Sequence, residues 1–337
     1  MSDFVQNFKS ETKTYDVGDE YDPEYISKFN LIIPWRLCFA GGWMDLEWCN
    51  KYYPGPVITI NVKYNSNFKD RCGLATSTRK HWIKVFNGEV PSYLTDEDFA
   101  KTLWGSENME SLSYIKKGKY LAGSQDHVGL AFPGINYLYY DGGFWPKRID
   151  TINDVCNDKH KAIFKWLEEV LYLVEIKKNC RPPGYNSQKI NYLKDPNISV
   201  EKKKEMVKNL ANASQLCWDG INEMNIDKVG KGLTGTMLGW KAILPATVPD
   251  ELDSFWKEYN KLHKGCLFSG AGGGFLFVIS DKPVKNGFKI KINNDPYFRT
   301  KTIKYSKIKP SIKSPKLSDN DTNNNNNSNN YPANNRR

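Results

Sequence analysis

The order of its apolar segments constrains the fold of this chain more than any other feature. Leu31–Ile33 and Val57–Val62 are short runs rich in β-branched residues, and they predict strands. Helical periodicity prevails over residues 200–263, and two further strand-like runs follow, Lys264–Phe268 and Phe275–Ser280. Strands, then helices, then strands again is the order of an α+β protein, so we expect two lobes.

The middle of the chain adds strands at Asn136–Tyr140 and Leu171–Ile176. Helices are predicted over Lys80–Phe86, Asp96–Trp104, Leu121–Pro133, Lys161–Val170, Val200–Glu223, Asp227–Trp240 and Pro249–His263. The proline pair in Arg181-Pro182-Pro183-Gly184 predicts a domain boundary. The expected division is a loose N-terminal arm over 1–27, an N-terminal lobe over 28–180, a C-terminal lobe over 181–310 and a disordered Asn-rich tail over 311–337.

Composition narrows the class of protein. No apolar run approaches the ~18–20 residues that span a bilayer, and residues 1–20 are too polar and acidic for a signal or transit peptide. A soluble cytoplasmic protein without a membrane partner is therefore expected. The seven cysteines are scattered and form no CxxC pair, which favours reduced core thiols over disulfides or a zinc site.

The net charge of +10 is concentrated in one segment. Residues 282–316 contain eleven Lys or Arg and one acid, Asp295, so the rest of the chain is neutral on balance. Apolar residues alternate with the basic ones, as in half-buried strands with a solvated basic face. Attraction of anionic ligands or nucleic acid is the other interpretation, although no nucleic-acid motif accompanies the charge and a nucleic-acid partner is not expected.

A glycine-rich loop joins two of the predicted strands. It reads Ser269-Gly270-Ala271-Gly272-Gly273-Gly274. Glycine at this density costs backbone entropy and is kept where another group must approach the backbone closely. The loop either cradles phosphate with its N–H groups or forms a tight hairpin.

Three further segments carry candidate residues. Pro34–Asp45 contains Arg36 and places Gly41 and Gly42 before Asp45, whose carboxylate could accept sugar hydroxyls or lie in a solvated turn. Gly123–His127 brings Gln125, Asp126 and His127 to a predicted helix start, where Asp126 is a base or only complements the helix dipole. Gly73–Lys80 supplies Thr76, Ser77 and Thr78 with two cations, as an anion site or an ordinary helix cap.

Taken in order, these segments resemble the motifs of the GHMP kinase superfamily, which includes galactokinases, mevalonate kinases and bacterial heptose-phosphate kinases. Pro34, Arg36, Gly41 and Asp45 resemble its first motif, and Gly270–Gly274 resembles its third. Gly123-Ser124-Gln125-Asp126 looks like the segment that carries the base in the sugar-kinase branch, and residues 131–136 resemble the Ala-Phe-Gly-Gly segment of the heptose kinases. The resemblance covers about residues 30–310.

The resemblance implies an N-terminal lobe like ribosomal protein S5, a ferredoxin-like C-terminal lobe and a substrate cleft between them. It implies ATP and Mg²⁺ as cofactors, with a nucleotide held by the glycine loop and by residues 76–78. Asp126 would accept the proton of the attacked hydroxyl, and Arg36 would help to bind the phosphates. Asp45, with the neighbouring Gly41, Gly42, Gln125 and His127, would bind a sugar or sugar phosphate.

The second motif of the family, Pro-x-x-x-Gly-Leu-Gly-Ser-Ser, is missing. About sixty residues separate Val62 from Gly123, fewer than heptose-type kinases have, and loss of one strand–loop–helix unit is the simplest account. Gly73–Lys80 could be a shortened substitute, although it lacks the flanking glycines. The sequence therefore predicts a sugar or sugar-phosphate kinase of GHMP type, or alternatively a GHMP-fold protein that binds sugar or nucleotide without catalysis.

Overall fold

A computed structural model describes residues 27–69, 72–90, 93–115, 121–176, 187, 190–270 and 273–295 of the chain, with the side chains of 110–115 left aside. Several sequence predictions lie outside these residues. They are most of the N-terminal arm, the boundary at 181–184, Ala271 and Gly272 of the glycine loop, the basic strands beyond 295 and the Asn-rich tail.

The first sheet is an antiparallel meander in the order β1-β2-β3-β4. Its strands are β1 (Trp35–Ala40), β2 (Gly55–Val62), β3 (Ile135–Tyr140) and β4 (Arg148–Ile152). The strand predicted over Leu31–Ile33 is wrong, because these residues form turns in which the N–H of Ile33 donates to the carbonyl of Phe29. The strand begins at Trp35 instead. β1 contains no Val, Ile or Thr, so its sequence lacks the β-branched residues from which the other strands are predicted.

The second sheet is also antiparallel and has the order β6-β7-β5-β8. Its strands are β5 (Leu171–Glu175), β6 (Gly265–Phe268), β7 (Phe275–Ile279) and β8 (Gly287–Lys289). β5 precedes the boundary that the sequence suggests, yet it lies between β7 and β8. A division of the chain at that boundary would remove a central strand from this sheet.

The helices are α1 (Glu47–Asn50), α2 (Thr76–Phe86), α3 (Asp96–Ile115), α4 (Gln125–Ala131), α5 (Asp158–Val170), α6 (Val200–Asn222), α7 (Ile226–Ile243) and α8 (Asp250–Leu262). The predicted helices are confirmed in position, and α3 extends well beyond its expected end. Thr95 caps α3, since its hydroxyl accepts from the N–H of Asp98. The α+β fold class is confirmed.

Packing of α6 and α7 against β1 fixes the loop that follows β1. Gly41 has φ +73°, and a Cβ there would meet Ser214 of α6 and the carbonyl of Pro56. Trp240 of α7 lies beneath Gly42 and donates from Nε1 to its carbonyl at 2.9 Å. The helices therefore hold the backbone just before Asp45 in one position. No helix in the described part of the chain combines the length and apolar character needed to cross a membrane.

Candidate functional site

Asp45 and Asp126, 81 positions apart in sequence, belong to one cluster at the start of α4. Asp45 is 2% exposed, and a Cβ on Gly123 would overlap its carboxylate. The backbone N–H of Gln125 donates to Asp45 Oδ2 at 3.5 Å, and its side-chain Nε2 donates to Oδ1 at 3.1 Å. Gln125, which directly precedes the candidate base Asp126, thus holds the carboxylate of Asp45 in place.

Asp126 is ion-paired with Arg36 of β1. The side chain of Asp126 is 26% exposed and that of Arg36 only 5%, so the carboxylate faces the accessible side of the pair. Arg36 Nε and Nη1 are buried and have no hydrogen-bond partner among the described residues. A buried guanidinium with unpartnered nitrogens is costly unless an anion or water completes it. The interpretation of Asp126 as a mere complement to the helix dipole does not account for this pair.

Both ends of α4 are anchored, which fixes Asp126. At its start, Ser124 lies within hydrogen-bond distance of the Tyr140 hydroxyl, at 2.9 Å, and donates to the carbonyl of Phe144 at 2.6 Å. Near its end, Asn61 of β2 donates to the carbonyls of Gly129 and Leu130, each at 3.0 Å. Because both contacts bind the helix to the first sheet, its first turn has little freedom to move.

Burial changes the acidity of Asp45 and of the neighbouring Cys38. It raises the pKa of Asp45 to about 7, and the charge of Asp126 adds to this effect. Cys38, on β1, is buried beside them, and burial raises the pKa of its thiol to about 12. That thiol donates to Gln125 Oε1 with a sulfur–oxygen distance of 2.9 Å. The thiol is therefore a neutral hydrogen-bond donor and not a nucleophile.

A second hydrogen-bonded chain leads from α4 to α2. His127, 1% exposed, lies 2.6 Å from Glu107 Oε2 through its Nε2, and the Thr78 hydroxyl donates to the same oxygen at 3.1 Å. Burial alone would raise the pKa of Glu107, but the hydrogen bond and charge of His127 more than offset it and hold that pKa below its ordinary value. An ionised carboxylate thus connects the first turn of α2 to the residue beside Asp126.

The loop before α2 packs against the glycine loop. A Cβ on Gly73 would lie 2.7 Å from Ser269 Oγ, and one on Gly274 would overlap the carbonyl of Cys72. Both glycines have positive φ, at +77° and +102°. Backbone conformation and contact between the two loops therefore account for glycine at these positions without a ligand. The Ser269 hydroxyl joins the loops by donating to the Cys72 carbonyl at 2.7 Å. Contact between Ser269 and phosphate stays a prediction.

Gly270 is different. A Cβ there would meet nothing nearer than Gly73 Cα, at 3.6 Å, which is ordinary van der Waals contact. Packing of the chain on itself therefore leaves room for a side chain at this position. A group that approaches the backbone from outside would account for glycine here.

The remaining sequence-predicted residues fall into two groups. Thr76 is half-buried and Ser77 is exposed at the start of α2, where both can face a ligand. Gly41 and Gly42 are buried against α6 and α7, and that packing accounts for glycine at both; their contact with substrate stays a prediction.

The two cations of the segment 73–80 do not both serve an anion site. Arg79 is 2% exposed, lies 3.8 Å over the Trp35 ring and donates to the carbonyls of Pro34 and Ile33. It anchors α2 to the start of β1. In the basic segment, Lys291 pairs with Glu168 at 2.6 Å. At least one cation of that segment is therefore paired with a carboxylate of α5.

Sequence reasoning did not single out Glu107 or assign a role to Cys38. Glu107 is one of several acidic residues in α3, and no local pattern distinguishes it from the others. Cys38 lies inside a predicted site segment, but its partner Gln125 is 87 positions away. Both contacts depend on tertiary structure that spacing does not encode.

No protein-family model and no curated protein matches the sequence. Solved structures with a similar fold include a D-glycero-D-manno-heptose 1-phosphate kinase from Bacteriodes thetaiotaomicron, 11% identical, with 77% of this chain and 95% of that chain covered and a TM-score of 0.44. A galactokinase from Lactococcus lactis complexed with galactose is 12% identical over 77% and 92%, and a mevalonate kinase from Methanococcus jannaschii 14% over 73% and 88%, each with a TM-score of 0.44. All three are GHMP-family kinases, and at these values the similarity concerns the fold alone.

Proposed function

We propose that this chain transfers the γ-phosphoryl group of ATP to a hydroxyl of a sugar or sugar phosphate. The observation that carries the proposal is the pairing of two carboxylates of different character around Gln125. Asp126 is partly exposed and held by Arg36, whereas Asp45 is buried and has a pKa of about 7. Environments that separate two carboxylates in this way commonly divide their roles.

Asp126 is the group that accepts a proton in this proposal. A substrate hydroxyl within hydrogen-bond reach of its carboxylate would transfer its proton to Asp126 as the oxygen attacks phosphorus. Arg36 fixes the carboxylate, and contact between its guanidinium and a substrate phosphate is part of the proposal. Asp45 acts through Gln125, whose amide is half-buried at the edge of the cluster.

The other end of the site suits the nucleotide. The first turn of α2 and the glycine loop lie against each other, and Gly270 leaves room for an approaching group. Backbone N–H groups at a helix N-terminus and in a glycine loop favour phosphate. Thr76 and Ser77 can add hydroxyl donors there. The segment 73–80 would thus replace the missing second motif.

The residues present also fit Mg²⁺. No group of three or more His, Cys, Asp or Glu side chains among the described residues could hold a metal by itself. Mg²⁺ in nucleotide sites usually needs only one or two carboxylates, because phosphates and water complete its shell. Glu107, ionised and joined to the Thr78 hydroxyl, would hold the ion at the α2 end of the site. When bound, Mg²⁺ neutralises phosphate charge.

Phosphoryl transfer tests the proposal directly. ATP consumption would be measured with a panel of sugars and sugar phosphates for the wild type, Asp126→Asn and Asp45→Ala. A positioned base contributes ~10²–10⁴-fold, so Asp126→Asn should lower kcat by that factor with little change in KM. Asp45→Ala should raise KM through the loss of Gln125 positioning. Equal turnover by the wild type and Asp126→Asn would refute the base assignment.

A non-catalytic binding protein is the second candidate, favoured by the absence of glycines flanking Thr76-Ser77-Thr78. Calorimetry with ATP and Mg²⁺ separates the two. Nucleotide binding accompanied by turnover supports the kinase. Binding of a panel sugar without turnover in any variant supports the binding protein.

A further inference from the structure

We propose that Cys38 is a positioning residue whose thiol sets the orientation of the Gln125 side-chain amide. The inference rests on the proposed function only in assigning Gln125 to the substrate side of the site. Cys38 is 5% exposed and lies on β1 two positions after Arg36, so its side chain is held by the sheet. Its Sγ is 2.9 Å from Gln125 Oε1.

A side-chain amide has one accepting and one donating end, and the two ends are nearly the same in shape. Its orientation is therefore decided by its partners. Here the thiol donates to Oε1, while Nε2 donates to Asp45 Oδ1 at 3.1 Å. Among the described residues, Cys38 is the only donor within hydrogen-bond distance of Oε1. Without the thiol, no donor at the Oε1 end of the amide would oppose its rotation by half a turn.

The two orientations differ in their effect on Asp45. With Nε2 toward Asp45, the amide donates to the ionised carboxylate and favours it. With Oε1 toward Asp45, the amide accepts only from the protonated acid and favours that form. Because Asp45 has a pKa of about 7, both forms are populated near neutral pH. Cys38 thereby favours the arrangement in which Asp45 is charged and the second N–H of Gln125 is left for a substrate hydroxyl.

Other groups also act on Asp45, and they remain in place in a Cys38 variant. Arg36 on β1 lowers the pKa of Asp45 and Asp126 on α4 raises it. Cys49 on α1 and Tyr140 on β3 interact with its charge, but burial raises the pKa of each, so both are neutral. None of these groups contacts Gln125 Oε1. A change in the amide can therefore be assigned to the thiol.

Three variants isolate the thiol donor. Cys38→Ala removes it, and Cys38→Ser keeps a donor on a shorter arm. Cys217→Ala is the control, since Cys217 is also fully buried but lies on α6 with its side chain against Gly232. The side-chain amide signals of Gln125 would be assigned with Gln125→Glu. The titration of Asp45 would be followed by carbon NMR of labelled carboxyl groups in the full chain without ligand.

Cys38→Ala should move the Gln125 amide signals and raise the pH midpoint of Asp45 by on the order of one pH unit, the value of one net hydrogen bond. Cys38→Ser should restore at least half of both changes, and Cys217→Ala should leave both as in the wild type. Unchanged signals in Cys38→Ala, or equal shifts in Cys38→Ser and Cys38→Ala, would overturn the proposal. These readouts need no turnover, so they hold or fail independently of the kinase assignment.

Discussion

Substitution of Gly123 by alanine probes the cluster at its tightest point. A Cβ at this position would overlap Asp45 Oδ2 and Cγ and would lie 3.0 Å from the Asp45 backbone oxygen. The backbone of Asp45 is fixed by the Gly41–Gly42 packing, so the carboxylate has to give way. To regain normal contact it must retreat by roughly 1 Å or more, and a displacement of this size can cost about 10²-fold in rate.

The expected effect has a structural and a functional part. Overpacking in a filled site typically costs about 1–3 kcal/mol in the free energy of unfolding. Retreat of the carboxylate also breaks the 3.1 Å hydrogen bond from Gln125 Nε2. We therefore expect Gly123→Ala to lower the melting temperature by a few degrees and to reduce kcat/KM by about 10²-fold.

Gly105→Ala is the matched control. Gly105 lies within α3, and a Cβ there meets nothing within 4 Å. Alanine is favoured over glycine in a helix by roughly 0.5–1 kcal/mol, so this variant should be slightly more stable and fully active. Thermal unfolding and the ATP-consumption assay would be run on both variants. Wild-type stability and turnover in Gly123→Ala would refute the packing of Asp45 described here.

Three shorter predictions follow from the same structure. Gly270→Val should abolish ATP binding measured by calorimetry while leaving the melting temperature within a few degrees, because only an external group is displaced; intact binding would show that the loop is merely structural. Asp45→Asn should be more stable than the wild type by roughly 4 kcal/mol at pH 8. The reason is that the pKa of Asp45 is about 7 in the folded chain and 3.8 in the unfolded chain, so the wild type loses stability as the pH rises from about 4 to 7. Denaturant unfolding should give nearly equal free energies of unfolding for both proteins at pH 4, and a difference between them that did not change with pH would contradict this. Truncation after Lys316 should preserve the melting temperature and the ligand affinity. The segment from Ser318 contains ten Asn and cannot bury enough apolar area to offset the entropy of ordering. A marked loss of either property would show that this tail packs against the rest of the chain.

Residue type decided which elements local patterns could predict. The helix over 200–223 and the strand over 57–62 are both expected and both observed. β1 and β2 are buried at every position, so burial does not distinguish them. β2 is rich in Val and Ile, whereas β1 contains no Val, Ile or Thr and includes Arg36, so its sequence lacks the β-branched residues typical of a strand. The apolar run at 31–33 has that composition, which explains why the sequence predicts the strand there.

The sequence indicates several residues of the candidate site but not the contacts between them. Asp45, Asp126 and Arg36 were chosen from a resemblance of motifs, and the structure places them in one cluster. That Arg36 pairs with Asp126 depends on β1 and α4 lying side by side, which no spacing in the sequence encodes. Glu107 was missed for the same reason, because its partners Thr78 and His127 come from two other helices.

The energetics of Asp45 give a reason to regard this cluster as functional. A buried carboxyl with a raised pKa destabilises the folded chain at neutral pH, and a hydrophobic side chain of similar size would avoid that cost. Packing alone does not require an acid here, since Asp45 joins no ion pair among the residues that the structure describes and the side chain that donates to it is that of Gln125. Gln125 in turn stands next to Asp126, the accessible acid of the site. A buried carboxyl that is costly to ionise and is linked through Gln125 to an accessible carboxylate is typical of binding and catalytic sites.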